Sequence, residues 1–169
     1  GRLLVPLHQL LELDAGFVHT SRVPDELATT LAHREPFVCC MPAKHPLGQQ
    51  DMVALTDLRG EPFVLFSRKA SPDYYSRIFD MCAAHGFYPQ IRHEVRHWLS
   101  VVSLVSQGMG IAVVPAAMAR SGMAGAAFRP LADATVPSEV YCVWKQAPDH
   151  PARDHFVEMV RLAASEADI

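Results

Sequence analysis

The sequence predicts an α/β fold, and three observations predict it. Short apolar runs of strand character at residues 37–41, 63–66 and 111–114 alternate with helical stretches that open at Ser71 and near Trp98. An unbroken run of β-branched and small apolar residues suits a strand covered on both faces, so mostly parallel pairing is expected. Residues 104–115, Leu-Val-Ser-Gln-Gly-Met-Gly-Ile-Ala-Val-Val-Pro, pass from helix to strand without an intervening loop. Gly108 can take the left-handed conformation that ends a helix, and Pro115 closes the strand.

In chain order, residues 9–13 read as a helix tail and residues 14–18 as a short strand. Extended segments follow at 30–34 and 37–41. Pro42-Ala-Lys-His-Pro-Leu-Gly then marks a turn, because two prolines and a glycine forbid regular structure. Residues 55–58 form at most one helical turn, and 63–66 the next buried strand. The best-punctuated helix has Ser71 as N-cap, Pro72 at its first position and Asp73 in its first turn, where a carboxylate complements the dipole. Ile78, Phe79 and Cys82 give it an apolar face, His85 lies in its last turn, and Gly86 ends it. A strand at 90–95, a helix at 98–107, a strand at 111–114, a short helix at 116–120 and extended segments at 128–130 and 140–144 follow. Pro151 opens a final amphipathic helix carrying Phe156, Met159, Val160 and Ala163.

With 169 residues, half of them hydrophobic, the chain can bury a core as one domain or two small lobes. Fifteen basic against 18 acidic residues give net −3, which argues against a free-standing nucleic-acid binder. Neither a bilayer-spanning apolar stretch nor a secretory leader is visible, so a cytoplasmic setting is expected. Cys39, Cys40, Cys82 and Cys142 lack the paired spacing of zinc ribbons or disulfide frameworks and read as small core hydrophobes. The nine histidines form no His-x-x-x-His or His-Glu-x-x-His pair on a helix, and no dinucleotide or Walker fingerprint exists. No metal and no cofactor are therefore expected.

In open sheets of this class, ligands bind beyond the carboxyl ends of strands, where helix amino termini present unpaired N–H groups. Two such termini stand out, at residues 71–74 and 97–99. His97 and Trp98 enter the candidate site on that ground, although Trp98 also suits a core position.

Five segments carry a family resemblance: Leu13-Asp14-Ala15-Gly16-Phe17-Val18, Pro42-Ala43-Lys44-His45-Pro46-Leu47, Glu61-Pro62-Phe63-Val64-Leu65-Phe66, Gly86-Phe87-Tyr88-Pro89, and Val105 through Pro115. In order and spacing they resemble the effector-binding domain of LysR-type transcriptional regulators, in particular the branch that senses aromatic carboxylates and their ring-cleavage products. The resemblance implies a bilobed fold like that of type II periplasmic binding proteins, two Rossmann-like α/β lobes joined by two crossover strands. Residues 1–36 and 138–169 would form lobe I, and residues 37–137 lobe II. It further implies a small-molecule effector, a carboxylate, in the inter-lobe cleft, self-association as a homodimer or tetramer, and DNA contact only through a winged helix-turn-helix outside this sequence. Gly1–Leu7 resembles the start of the family's first helix and His8–Leu13 the end of its second. A junction near Leu7 and His8 would thus skip roughly thirty residues, leaving lobe I incomplete.

Carried over residue by residue, the family's pocket falls on His19, Ser67, Pro72, Asp73 and Tyr74. An imidazole at position 19 would replace an arginine used by some members, without the bidentate fork of a guanidinium. Since the Asp73 carboxylate would repel an anion, the backbone amides of Asp73 and Tyr74 are the expected contacts, with the Tyr74 ring as an apolar wall. A transporter's solute-binding protein shares the fold class and is the rival reading. An enzyme using Cys39, Cys82 or Ser67 as nucleophile is disfavoured, because nothing pairs such a residue with a base and no Gly-x-Ser-x-Gly elbow occurs.

Overall fold

A computed structural model describes residues 14–20, 22–134, 136–146 and 150–167, and among these described residues there are eight strands, three α-helices and three short 3-10 helices. The expected helix tail at 9–13 and the junction near Leu7 and His8 lie outside the described residues. The chain divides into two units: residues up to Arg34 with those from Glu139 onward, and Glu35–Ser138.

In the first unit, strands β1 (Ala15–Val18), β8 (Ser138–Lys145) and β2 (Leu27–Glu35) form a sheet of order β1-β8-β2. β1 runs antiparallel to β8, with Ala15 opposite Trp144 and Val18 opposite Tyr141. Val18, Leu27 and Val143 form its small core, flanked by Val23 and Tyr141. The final helix, Pro151–Ala167, starts on Pro151, where proline's missing N–H costs nothing. His150 caps it, its Nδ1 accepting from Arg153 N–H at 3.2 Å, while His150 Nε2 meets Asp14 Oδ1 at 3.2 Å.

The second unit is centred on β3 (Phe37–Pro42), flanked by β6 (Ala112–Pro115) and β7 (Ala126–Pro130), both antiparallel to it. Beside them β4 (Pro62–Phe66) pairs in parallel with β5 (Gln90–Val95). A single parallel bridge, Phe63 with Ile111, joins the two sets. The expectation of mostly parallel pairing is therefore corrected. Every residue from Phe37 to Met41 and from Ala112 to Pro115 is buried, as their apolar runs require. Two-sided burial is what such a run encodes, whereas strand direction is set by the connections.

Helix α1 (Pro72–Ala84) buries Tyr74, Ile78, Met81 and Cys82, and helix α2 (Trp98–Ser106) buries Val101, Val102 and Val105. Each stripe has the three-to-four-residue spacing of one helical face. α1 ends one residue before His85, which is its C-cap, and Gly86 follows at φ +78°. After α2, Gly108 (φ +78°) and Gly110 (φ +145°) reverse the chain onto β4. Ile111 N–H donates to Pro62 C=O and Val64 N–H to Ile111 C=O, both at 2.8 Å. A Cβ on Gly110 would lie 2.4 Å from the Pro62 oxygen, so this approach admits no side chain. β2 begins three residues earlier than expected, because the turn bond from Leu27 N–H to Pro24 C=O launches it.

Candidate functional site

Parallel strands deliver their carboxyl ends to one edge, and β4 and β5 do so after a register shift between Phe63 and Val64, ending with Phe66 opposite Val95. Ser67 N–H extends the ladder by one bond to Val95 C=O at 2.7 Å. From that edge α1 and α2 depart, so their amino termini adjoin. The Tyr74 and Trp98 rings meet edge to face with centroids 4.7 Å apart, and Phe66 packs against Trp98 at 4.8 Å and Tyr74 at 6.0 Å.

Ser67 turns the chain: its carbonyl accepts from the N–H groups of Ala70 and Ser71, each at 3.0 Å, and the residue is largely buried. Ser71 occupies the N-cap position, but its side chain makes no capping bond, which corrects the sequence expectation. The reason is local. Its N–H points back to Ser67 and its φ/ψ of −143°/82° is not the extended geometry in which a serine caps. Its carbonyl still receives the first helical bond, from Tyr75 at 3.1 Å. Pro72 brings no donor, so the N–H groups of Asp73 and Tyr74 stand outside the ladder of α1. His97 begins α2 in the same way, its carbonyl accepting from Ser100 and Val101 at 3.0 and 3.1 Å while its exposed side chain makes no cap bond. The N–H groups of Trp98 and Leu99 are likewise outside their ladder.

Tyr74 differs from the open wall expected of it. Only 4 % of it is exposed, its ring packs against Phe37 as well, and its hydroxyl donates to Val113 C=O on β6. Burial pushes the phenol well above its usual range, with the buried thiols Cys82 and Cys40 adding to the shift, so it stays a neutral donor. Tyr74 thus anchors α1 to the sheet, and only its backbone amide remains for a ligand. Trp98 and Pro72 are partly buried, as is Asp73 in the first turn. His19 follows β1 in the first unit, where it is partly buried.

Sequence reasoning passed over the basic residues that lead into both helices. Arg68 and Lys69 are exposed in the turn before α1, and Arg96 is exposed just before His97. The Arg68 guanidinium lies over the Tyr75 ring at 5.7 Å, which helps hold it beside the helix start. Adjacent cations ahead of a proline-led helix were a readable signal. Together with two amino-terminal dipoles they make this edge attractive to an anion, against the opposing carboxylates of Asp73 in the first turn of α1 and of Glu94 on β5, which acts on Tyr75 alongside Arg68.

All four cysteines are buried. Burial pushes Cys40 and Cys82 up to about 12, and Cys39 and Cys142 also upward, so none is a thiolate nucleophile at neutral pH. Among the described residues, no three metal-binding side chains gather and no helix is long and apolar enough to cross a membrane.

Comparison with known proteins adds three findings. The family described as the LysR substrate binding domain matches residues 6–165. Curated relatives include the HTH-type transcriptional regulators YnfL of Escherichia coli K12, 30 % identical over 85 % of this chain and 49 % of the relative, and XapR of the same organism, 32 % identical over 91 % and 50 %. A third, AlsR of Bacillus subtilis, is 26 % identical over 87 % and 49 %. The chain thus spans about half the length of these relatives. Among solved structures, the BenM effector-binding domain with its effector benzoate superposes with a TM-score of 0.78 at 25 % identity, covering 92 % of this chain and 72 % of that one. The regulator CbnR superposes with a TM-score of 0.83 at 21 % identity, over 94 % and 55 %, which speaks to the fold.

Proposed function

The chain belongs to the LysR substrate-binding domain family, whose fold is the bilobed, type II periplasmic-binding-protein-like α/β fold, and on that basis we propose that it is the effector-sensing part of a bacterial LysR-type transcriptional regulator. The two units are taken as the two lobes. The ligand is a small organic acid received at the adjoining starts of α1 and α2. A DNA-binding domain outside this chain reads the response, within a homodimer or tetramer working in the cytoplasm. The relatives' naming as HTH-type transcriptional regulators favours this reading over a transporter's solute-binding protein, and over an enzyme.

One observation carries the ligand class. Four amides, those of Asp73, Tyr74, Trp98 and Leu99, lie outside their helical ladders at one strand edge, with Arg68, Lys69 and Arg96 beside them. An anion gains about 0.3 to 1 kcal/mol at one exposed helix start and about 2 kcal/mol where partly buried. Two starts with a few hydrogen bonds suit micromolar to millimolar affinity, the range of a metabolite sensor. Ser67 and Pro72 shape this edge, and His97 and Trp98 flank it. His19 is proposed as a further contact on the family resemblance alone. Aromatic carboxylates are the first class to test, because BenM is described with benzoate.

Effector action is a population shift: a ligand that binds one arrangement of the lobes more tightly enriches it. The test is a thermal-shift titration of this chain with benzoate, muconate and benzamide. At a hundredfold excess over Kd a carboxylate stabilises by about 2.7 kcal/mol, raising Tm by roughly 5 to 10 °C. The rise should be absent with benzamide and halved or lost in Arg68→Ala/Lys69→Ala. Equal shifts for acid and amide would refute the anion site.

A further inference from the structure

The chain passes between its units twice, at Arg34/Glu35 and at Ser138/Glu139, on the neighbouring strands β2 and β8. On the first unit's side the two passages are clasped to each other. Arg34 Nε and Nη2 donate to Glu139 Oε1 at 3.0 and 2.8 Å, and Tyr141 OH donates to Glu139 Oε2 at 2.9 Å. On the second unit's side each passage carries a proline, and each proline carbonyl is held by that unit. Pro36 C=O accepts from Ala116 N–H at 3.0 Å, with Glu35 Oε2 accepting from Ala117 N–H at 2.6 Å. Pro137 C=O accepts from Arg77 Nη1 at 2.6 Å.

We propose that Arg77 is a strut that couples helix α1 to the second passage between the units, so that a displacement of α1 is delivered to the backbone at Pro137. Arg77 sits five residues after Pro72, little more than one turn into α1. The helix is stiff, and the guanidinium holds the carbonyl with a charge-assisted bond in partly buried surroundings. Proline at 137 fixes φ and lends no N–H, so its carbonyl is the backbone group left to grip. Freedom is thereby confined to the one or two peptide units between the Arg34–Glu139 clasp and the two anchored carbonyls. Bistable pivots in closing proteins are built from such short stretches, a few residues absorbing the backbone change. The Pro36 carbonyl on the first passage is held by a main-chain N–H, whereas the Pro137 carbonyl on the second is held by the Arg77 side chain, which substitution can remove. Its use in signalling rests on the function proposed above, but the strut itself does not.

The experiment is therefore done without ligand, so that its failure leaves the effector reading standing. Spin labels are placed by Met52→Cys and Ala152→Cys, exposed positions in different units, while the four native cysteines are buried and stay unlabelled. Pulsed dipolar spectroscopy then gives the distance distribution. Arg77→Met is expected to broaden it about twofold and to speed exchange of the Ser138 amide about tenfold, leaving exchange within α1 unchanged. Arg77→Lys, which retains a charged donor, should restore most of the parental width. Parental width in Arg77→Met, equal broadening in both variants, or faster exchange throughout α1 overturns the proposal. Should Arg77→Met not fold, the parent still decides: its Arg77 guanidinium protons must exchange more slowly than those of exposed Arg22, and equal rates overturn it.

Discussion

Replacing Gly110 by alanine should remove a large share of the folding free energy. Gly110 sits at φ +145°, and an added Cβ would meet the Pro62 carbonyl oxygen at 2.4 Å and its carbon at 3.1 Å. Relief requires the two segments to part by close to 1 Å, which breaks the 2.8 Å bonds Ile111 N–H to Pro62 C=O and Val64 N–H to Ile111 C=O. Those two bonds contribute about 0.5 to 1.5 kcal/mol each. The glycine-only backbone conformation costs alanine about 1 to 3 kcal/mol more. The sum, about 2 to 6 kcal/mol, is to be set against a total of about 5 to 15 kcal/mol for a native domain. Gly108 supplies the control, being at φ +78° with nothing within 4 Å of its added Cβ. Gly108→Ala should cost only the left-handed penalty, about 1 to 2 kcal/mol. Equilibrium urea unfolding of both variants gives the difference, and amide exchange at Val64 and Ile111 locates it. If Gly110→Ala lies within about 0.5 kcal/mol of Gly108→Ala, the close approach of the backbone to β4 is not what demands glycine.

Two further outcomes follow from the core and from a loop. Because burial raises the folded-state pKa of Cys40 and Cys82 to about 12, the native state holds protons that an unfolded thiol releases near pH 8.5. Their stabilisation is complete below that pH and is lost as pH rises toward 12, at about 1.4 kcal/mol per pH unit for each thiol, so urea midpoints measured from pH 8 to 11 should fall with increasing slope. Arg129 donates to the carbonyls of Gln50, Gly48 and Phe128 at 2.9, 2.8 and 2.7 Å and so closes the Pro42–Gln50 turn on β7. Arg129→Ala should cost about 1 to 2 kcal/mol and open that turn to limited proteolysis, and an unchanged digestion pattern would show that the prolines hold it unaided.

What the chain made legible was its punctuation. Pro72, Gly86 and Gly108 act through backbone sterics within a few residues, so their effect is visible without knowing what they pack against, whereas the demand for glycine at 110 comes from Pro62 on β4 and was not visible. Strand direction was not legible, because the side chains of β3 and β6 report burial on both faces and nothing about polarity. Ser71 misled because a capping residue type was present while its backbone was committed to Ser67. Tyr74 was misassigned for want of register: with Ile78, Met81 and Cys82 it completes the buried stripe of α1, a spacing already present in the sequence. Ser67, Pro72 and Asp73 came from the family resemblance and His97 and Trp98 from a strand-to-helix junction, and the two junctions lie at one edge because β4 pairs in parallel with β5. Arg68, Lys69 and Arg96 were missed by attending to the helices rather than to the turns that feed them.

The placement of the chain's two tryptophans has a practical consequence. Trp98 lies against Phe66 and Tyr74 in one unit, and Trp144 lies under the Arg161 guanidinium in the other. Each half of the molecule therefore carries its own intrinsic fluorophore. With Trp144 replaced by phenylalanine, emission reports the helix junction alone, and with Trp98 replaced it reports the opposite half, so ordering of events during unfolding or ligand addition can be timed without any attached dye.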